Sequence, residues 1–213
     1  MTQPLVRIRA VAAGRPATDE ACAGCAQLST LRALRRVSVG IQGGIGCALD
    51  AGREFVAAPG PWAAVTGVAR LLREGAPALL DETARAGARL LVIADRVAPV
   101  RSTSLEDSLA RTGRPVVRLD LDDLAMTEAR VRQAIEVPGT ILLALSPCVR
   151  GAPREAPLAV LARLCNRCGA CLTLACPAIS DDGEEAMRVD AGICSGCGRC
   201  EPLCRSRAIG RGK

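Results

Sequence analysis

The chain has 213 residues, of which 49% are apolar, and its formal net charge at pH 7 is +6. This length suffices for one α/β domain with a hydrophobic core and a smaller appended module, and the apolar content excludes a disordered chain. The charge would suit an acidic protein partner, but the arginines are scattered rather than clustered, so we expect no binding to nucleic acid.

From the amino terminus onward, predicted strands alternate with predicted helices. The first ten residues contain no apolar core of a secretory signal, and no apolar run is long enough for a membrane span. Strands are predicted at residues 5–8, 37–41, 54–58, 90–94, 116–119 and 141–145. Helices are predicted at residues 28–36, 62–73, 79–86, 104–111 and 124–135. Apolar strands that alternate with helices predict an α/β fold with a mostly parallel sheet, covered on both faces.

The composition changes near residues 150–160. Pro147, Pro153 and Pro157 indicate a linker, and from Cys165 onward cysteine, glycine and proline dominate, as in a fold organised around metal. We therefore predict an α/β domain at residues 1–153 and a small metal-binding α+β domain at residues 154–213.

Cysteine usage points to metal rather than to disulfides. The chain has 12 cysteines and no histidine. In the absence of a secretory signal, we expect a reducing cytoplasm, where thiolates bind metal. The lack of histidine excludes mixed Cys/His zinc sites and Rieske-type clusters.

Two cysteine runs carry the strongest signal in the chain. They are Cys165-x2-Cys168-x2-Cys171-x4-Cys176 and Cys194-x2-Cys197-x2-Cys200-x3-Cys204. Three cysteines at this spacing wrap a loop around three corners of a [4Fe–4S] cluster, and the fourth ligand comes from the other run. The sequence therefore predicts a bacterial two-cluster ferredoxin-like domain. Cluster I is assigned to Cys165, Cys168, Cys171 and Cys204, and cluster II to Cys194, Cys197, Cys200 and Cys176.

The alternative for these eight residues is a pair of four-cysteine zinc knuckles. Zinc sites usually show two separated CxxC pairs rather than a repeated CxxCxxC triplet. Two details depart from the common bacterial cluster pattern: four residues separate Cys171 from Cys176, and Arg205 instead of proline follows Cys204. Neither departure removes a ligand.

Four further cysteines follow predicted strands or open a helix. Cys22 and Cys25 precede the first predicted helix, Cys47 follows the strand at 37–41, and Cys148 follows the strand at 141–145. They could converge at the carboxyl ends of the strands, where open α/β sheets place their sites. The alternative is a set of unrelated buried thiols.

These motifs resemble the C-terminal half of the large subunit of the indolepyruvate ferredoxin oxidoreductases, within the thiamine-diphosphate-dependent 2-oxoacid:ferredoxin oxidoreductases. Cys22-Ala-Gly-Cys25 is similar to the family's Cys-Pro-Gly-Cys, and Gly44-Ile-Gly-Cys47 to its Asp-Ile-Gly-Cys. The stretch 88–102, the Pro147-Cys148 pair and residues 165–209 also resemble the family. The resemblance implies a fold of the thiamine-diphosphate-binding type. It also implies a third [4Fe–4S] cluster held by Cys22, Cys25, Cys47 and Cys148.

The chain departs from the family at the magnesium site that anchors thiamine diphosphate. The family has a Gly-Asp-Gly or Gly-Asp-Ser turn after a strand and a later Asp-Asn pair. Here the turn is assigned to residues 58–62, which contain no carboxylate, and the pair reads Asp95-Arg96. Magnesium prefers carboxylate and carbonyl oxygens, so we expect neither thiamine diphosphate nor Mg²⁺. Asp95 is expected to be a strand-end cap or a surface residue rather than a metal ligand.

Together these observations predict an iron–sulfur electron-transfer subunit with three clusters and no catalytic residues. It would belong to a cytoplasmic hetero-oligomer, with other redox subunits and a ferredoxin- or flavin-type electron donor or acceptor as partners. One alternative is the catalytic subunit of an indolepyruvate-type oxidoreductase, completed by partner chains. Another is a cluster scaffold or redox sensor.

Overall fold

The computed structural model describes residues 21–45, 55–95, 102–151 and 153–211. The predicted strand at 5–8, Cys47 and Arg96 lie outside these ranges. The helices are α1 (Gln27–Arg36), α2 (Val68–Glu74), α3 (Ala76–Arg85), α4 (Ser102–Ala110) and α5 (Leu124–Ala134). The strands of the α/β part are β1 (Gly40–Gly43), β2 (Trp62–Thr66), β3 (Leu90–Asp95), β4 (Val116–Arg118) and β5 (Thr140–Leu145).

These five strands form one parallel sheet in the order β1-β2-β3-β5-β4. Successive side chains of a strand point to opposite faces, and β3 fills both. Leu90 and Val92 belong to one hydrophobic core, whereas Leu91 and Ile93 belong to the other. A parallel sheet of this kind requires cover on both faces. The predicted α/β fold with a mostly parallel sheet is therefore confirmed.

Different helices cover the two faces. On one face, α1 and α5 contribute Leu28, Leu34 and Val131 to the core. On the other face, α2, α3 and α4 contribute residues that include Leu79 and Leu109. Asp123 caps α5, because its carboxylate accepts a hydrogen bond of 2.9 Å from the Met126 N–H.

Several predicted elements of this part differ from the structure in kind or in bounds. The helix predicted at 62–73 is a buried strand, β2, followed by the short helix α2. The strand predicted at 54–58 is irregular over its described residues, 55–58. The strand predicted at 37–41 begins only at Gly40 and is partly exposed, because it lies at the edge of the sheet and Ser38 adopts a left-handed φ of 59°.

The cysteine-rich part contains two short antiparallel pairs. Strand β6 (Leu158–Val160) pairs with β9 (Ile209–Arg211), and β7 (Ile179–Ser180) pairs with β8 (Arg188–Val189). Leu158, Leu174 and Ile209 belong to the same core as Leu28 of α1. The hydrophobic core therefore continues from α1 into this part, and the predicted division at residues 153/154 stays a prediction. None of the helices within the described ranges is long and apolar enough to cross a membrane.

Candidate metal centres

The two CxxCxxC loops share one backbone conformation. Two residues after the first cysteine of each run, Arg167 and Gly196 have φ values of 53° and 75°. Directly after the second cysteine, Gly169 and Gly198 have φ values of 69° and 76°. Left-handed φ values are easily adopted only by glycine, so their repetition at equivalent positions shows a duplicated local structure. In the second loop, a Cβ atom on Gly196 would lie 2.5 Å from the carbonyl oxygen of Ala156.

The first cavity gathers the four cysteines that were predicted for cluster I. Its walls are formed by side chains that include Cys165, Cys168, Cys171 and Cys204. Pairing of β6 with β9 brings the carboxyl-terminal segment to this loop, and the Leu161 N–H donates to the Ala208 carbonyl at 2.8 Å. The Cys204 side chain thus reaches a loop that begins 39 residues earlier in the sequence.

The second cavity gathers the four cysteines that were predicted for cluster II. Its walls are formed by residues that include Cys176, Cys194, Cys197 and Cys200. Next to the β7–β8 pair, the Asp190 N–H donates a hydrogen bond of 2.8 Å to the Ala178 carbonyl. This bond brings the segment that contains Cys176 close to the second run. Each cavity therefore combines three cysteines of one run with the last cysteine of the other.

Burial favours the protonated form of several of these thiols. Burial raises the pKa of Cys200 to about 12 and also raises the pKa values of Cys171 and Cys176. Burial also acts on Cys204, but hydrogen bonds from the Ser206 hydroxyl and from nearby backbone N–H groups outweigh it and lower the pKa of that thiol. A positively charged metal centre would have to displace the protons of the buried thiols, since thiolate is the ligand form.

The four cysteines around each cavity are compatible with an iron–sulfur cluster. Within the described ranges, no three cysteine or carboxylate side chains converge tightly enough to hold one metal ion. The second cavity also contains an unsatisfied donor, because the Ser195 hydroxyl is buried and has no hydrogen-bond partner among the described residues. None of the 11 described cysteines is in a disulfide.

The cysteines that were predicted for a third cluster are only partly described. Gln27 holds the start of α1 at the carboxyl end of β5, because its Nε2 donates to the Ala144 carbonyl at 2.6 Å. Cys22 and Cys25 directly precede this helix, and Cys148 follows β5 by three residues. Cys22 and Val149, the neighbour of Cys148, line one open cleft. The three described cysteines do not form a group that could hold a metal ion, and Cys47 lies outside the described residues.

The loop between Cys22 and Cys25 packs directly against the second cavity. Burial raises the pKa of the Cys176 thiol, and backbone hydrogen bonds from Ala178 and Gly24 offset this rise only in part. Arg199, between Cys197 and Cys200, donates to the Gly24 carbonyl at 3.1 Å. Sequence reasoning missed this contact, since Arg199 is 175 residues from Gly24 in the chain and no motif links them.

The region compared with a magnesium site has another role here. The Asp95 carboxylate accepts a hydrogen bond of 2.7 Å from the Val68 N–H and so caps the start of α2 rather than the end of its own strand. The correspondence of residues 58–62 with the magnesium turn is wrong, because this segment precedes β2 and lies at the amino end of the sheet. The turn that follows β2 is Thr66-Gly67-Val68, which also contains no carboxylate.

Comparison with known proteins gives one distant relative. The chain is 33% identical over 87 residues to indolepyruvate oxidoreductase subunit IorA of Archaeoglobus fulgidus. The match spans 37% of this chain and 14% of that protein. No family model matches the chain, and no solved structure matches it. The match supports a distant relation to this oxidoreductase family, and together with the 12 cysteines it indicates a redox function.

Proposed function

We propose that the chain is an electron-transfer subunit with two [4Fe–4S] clusters in its cysteine-rich part. The observation that carries the proposal is the composition of the two cavities. Each is lined by three cysteines of one run and by the fourth cysteine of the other run, as in a two-cluster ferredoxin. A four-cysteine zinc knuckle would instead close on its own loop.

The protein would hold each cluster and shield it from water. When bound, a cluster of this kind accepts and releases single electrons. Leu158 and Leu174 line the second cavity, and Val160 and Met187 line the first, so both cavities have apolar walls. Cys168 and Cys197 are exposed, which makes the edges of the loops around them the points where electrons would enter or leave.

We further propose a third cluster at Cys22, Cys25, Cys47 and Cys148. The contact of Gly24 with Cys176 would bring it close to cluster II and give a chain of three redox centres. Such a subunit needs other redox subunits and a ferredoxin- or flavin-type carrier as partners, in a hetero-oligomer. We assign it to the cytoplasm, because thiolate-bound clusters persist in reducing compartments.

Metal analysis and redox titration test the proposal. After anaerobic purification or reconstitution, two clusters would give about eight iron and eight sulfide atoms per chain, and three would give about twelve. Reduction with dithionite should produce electron paramagnetic resonance signals that disappear on reoxidation and return on a second reduction. Zinc in place of iron and sulfide would contradict the whole proposal, and eight iron atoms would contradict only the third cluster.

The match to an indolepyruvate oxidoreductase subunit supports a second candidate, a catalytic subunit completed by partner chains. A subunit of this kind in the resembling family binds thiamine diphosphate through Mg²⁺. The turn after β2 offers no carboxylate, and Asp95 is engaged with the start of α2. Measured binding of thiamine diphosphate would favour this candidate over a subunit that only transfers electrons.

A further inference from the structure

We propose that the Ser195 hydroxyl donates a hydrogen bond to a sulfur atom of cluster II and thereby raises the reduction potential of that cluster. The inference rests on the proposed function, because it requires that Cys194, Cys197, Cys200 and Cys176 hold a cluster. Ser195 would be a positioning residue that tunes the cluster and not one of its ligands.

The first observation is the unsatisfied hydroxyl itself. Ser195 lines the second cavity beside Cys194 and Cys197, and its Oγ is buried without a hydrogen-bond partner among the described residues. A buried donor without a partner is destabilising, so native structures rarely leave one. The thiolate and sulfide sulfurs of a bound cluster would supply a negatively charged acceptor in this cavity.

The second observation is the glycine that covers Ser195. A Cβ atom on Gly24 would lie 1.8 Å from the Ser195 Oγ, so only a residue without a side chain permits this approach. Gly24 also has a left-handed φ of 76°, which other residues adopt with strain. Arg199 holds the Gly24 carbonyl at 3.1 Å. The Cys22–Cys25 loop thus packs against the Ser195 hydroxyl, and Gly24 and Ser195 together line the second cavity.

The equivalent position of the first run is different. Asn166 follows Cys165 as Ser195 follows Cys194, but Asn166 is exposed and its Oδ1 accepts a local hydrogen bond of 3.3 Å from the Cys168 N–H. The hydroxyl donor beside cluster I is another residue, Ser206, whose Oγ lies 3.5 Å from the Cys204 sulfur. Each cavity therefore has one serine, and the two serines can be varied independently.

The expected direction follows from the charge of the cluster. Reduction adds one electron, and the added negative charge strengthens a hydrogen bond to sulfur. A donor therefore stabilises the reduced state more than the oxidised state, and removing it lowers the reduction potential.

The test is a redox titration of the holoprotein, monitored by electron paramagnetic resonance, with each signal assigned through Cys176→Ser and Cys204→Ser. Ser195→Ala should shift the potential of cluster II to a more negative value and leave cluster I unchanged. Ser206→Ala, the matched control, should shift cluster I alone. Ser195→Thr, which keeps the hydroxyl, should restore the cluster II potential.

The outcomes separate the two proposals. An unshifted cluster II potential in Ser195→Ala with full iron and sulfide content would overturn this inference and leave the proposed function intact. Equal shifts of both cluster potentials in Ser195→Ala would also overturn this inference and leave the proposed function intact. If the Ser195→Ala protein does not bind cluster II, the test rests on Ser195→Thr. A cluster II potential in Ser195→Thr that differs from that of the parent protein would overturn the role of the hydroxyl. A parent chain that binds no iron would refute the proposed function itself.

Discussion

At the scale of single residues, the sharpest feature is that Cys176 and Cys204 each line the cavity of the other cysteine run. Cys176 follows the first CxxCxxC loop in sequence, yet it lines the cavity of the second loop. We expect Cys176→Ala to remove about four iron atoms and the signal of cluster II, because a cluster with three protein ligands on a buried edge is labile. Iron analysis and electron paramagnetic resonance spectra measure both effects.

Cys204→Ala is the reciprocal control for this prediction. It should damage the cluster at Cys165, Cys168 and Cys171 and spare the other, because Cys204 lines the first cavity. Loss of the Cys165 cluster in Cys176→Ala would show that each run closes on itself, and the assignment of ligands between the runs would then be wrong.

At the scale of elements, helix α1 is held in place by a buried glutamine. Gln27 is 3% exposed and donates to the Ala144 carbonyl at the end of β5. We expect Gln27→Ala to lower the free energy of unfolding by about 1–3 kcal/mol, because the buried Ala144 carbonyl would lose its side-chain partner. Urea denaturation measures this change. Gln133→Ala on the exposed side of α5 is the matched control, with an expected effect within about 0.5 kcal/mol.

The same scale shows what the sequence could predict of the fold. Strands β3 and β5 are continuous runs of leucine, isoleucine, valine and alanine, long enough to be recognised, and both were predicted nearly to the residue. Strand β2, Trp62–Thr66, is an equally buried run of only five residues joined directly to a helix. Such a short apolar run has no periodicity that separates a strand from a buried helix, and the prediction of a helix was therefore wrong.

The candidate site was predictable to the extent that its chemistry is local. Repeated spacing predicted both cysteine runs and the exchange of Cys176 and Cys204, because one tight loop supplies only three ligands to a cluster. Spacing carries no information about contacts between distant segments. The approach of Gly24 to Ser195 depends on how α1 packs against the cysteine-rich part, which only the structure shows.

At the scale of the whole molecule, the hydrophobic core on one face of the sheet includes residues of both α1 and the cysteine-rich part. The core on the opposite face includes no described residue of the cysteine-rich part. Cys171, Cys200 and Leu174 pack in the core that contains Leu28 of α1, whereas α4 packs in the core on the opposite face of the sheet. Metal binding contributes folding free energy to the segments that it organises. Removal of iron with a chelator should therefore loosen α1 more than α4.

Hydrogen exchange of the holo and iron-free proteins measures this difference. We expect the amides of α1 to exchange at least about tenfold faster without iron, which corresponds to about 1.4 kcal/mol, while α4 changes little. Equal loss of protection in both helices would mean that the clusters stabilise the molecule as a single unit. Unchanged protection in α1 would mean that the shared core does not depend on metal.

The role of the whole molecule, carrier or catalyst, is decided by thiamine diphosphate. The Mg²⁺ that anchors its diphosphate needs carboxylate and carbonyl ligands, and Thr66-Gly67-Val68 at the carboxyl end of β2 supplies no carboxylate. The nearby Asp95 carboxylate already accepts a hydrogen bond from the Val68 N–H.

We therefore expect thiamine diphosphate with Mg²⁺ to leave the thermal unfolding temperature of the holoprotein unchanged. A ligand at 100 times its dissociation constant would add about 2.7 kcal/mol of stability, so binding would be visible in such a measurement. The chain should also fail to reduce an acceptor with indolepyruvate, yet accept electrons from dithionite. A clear rise in unfolding temperature, abolished by omission of Mg²⁺, would instead identify the chain as a catalytic subunit.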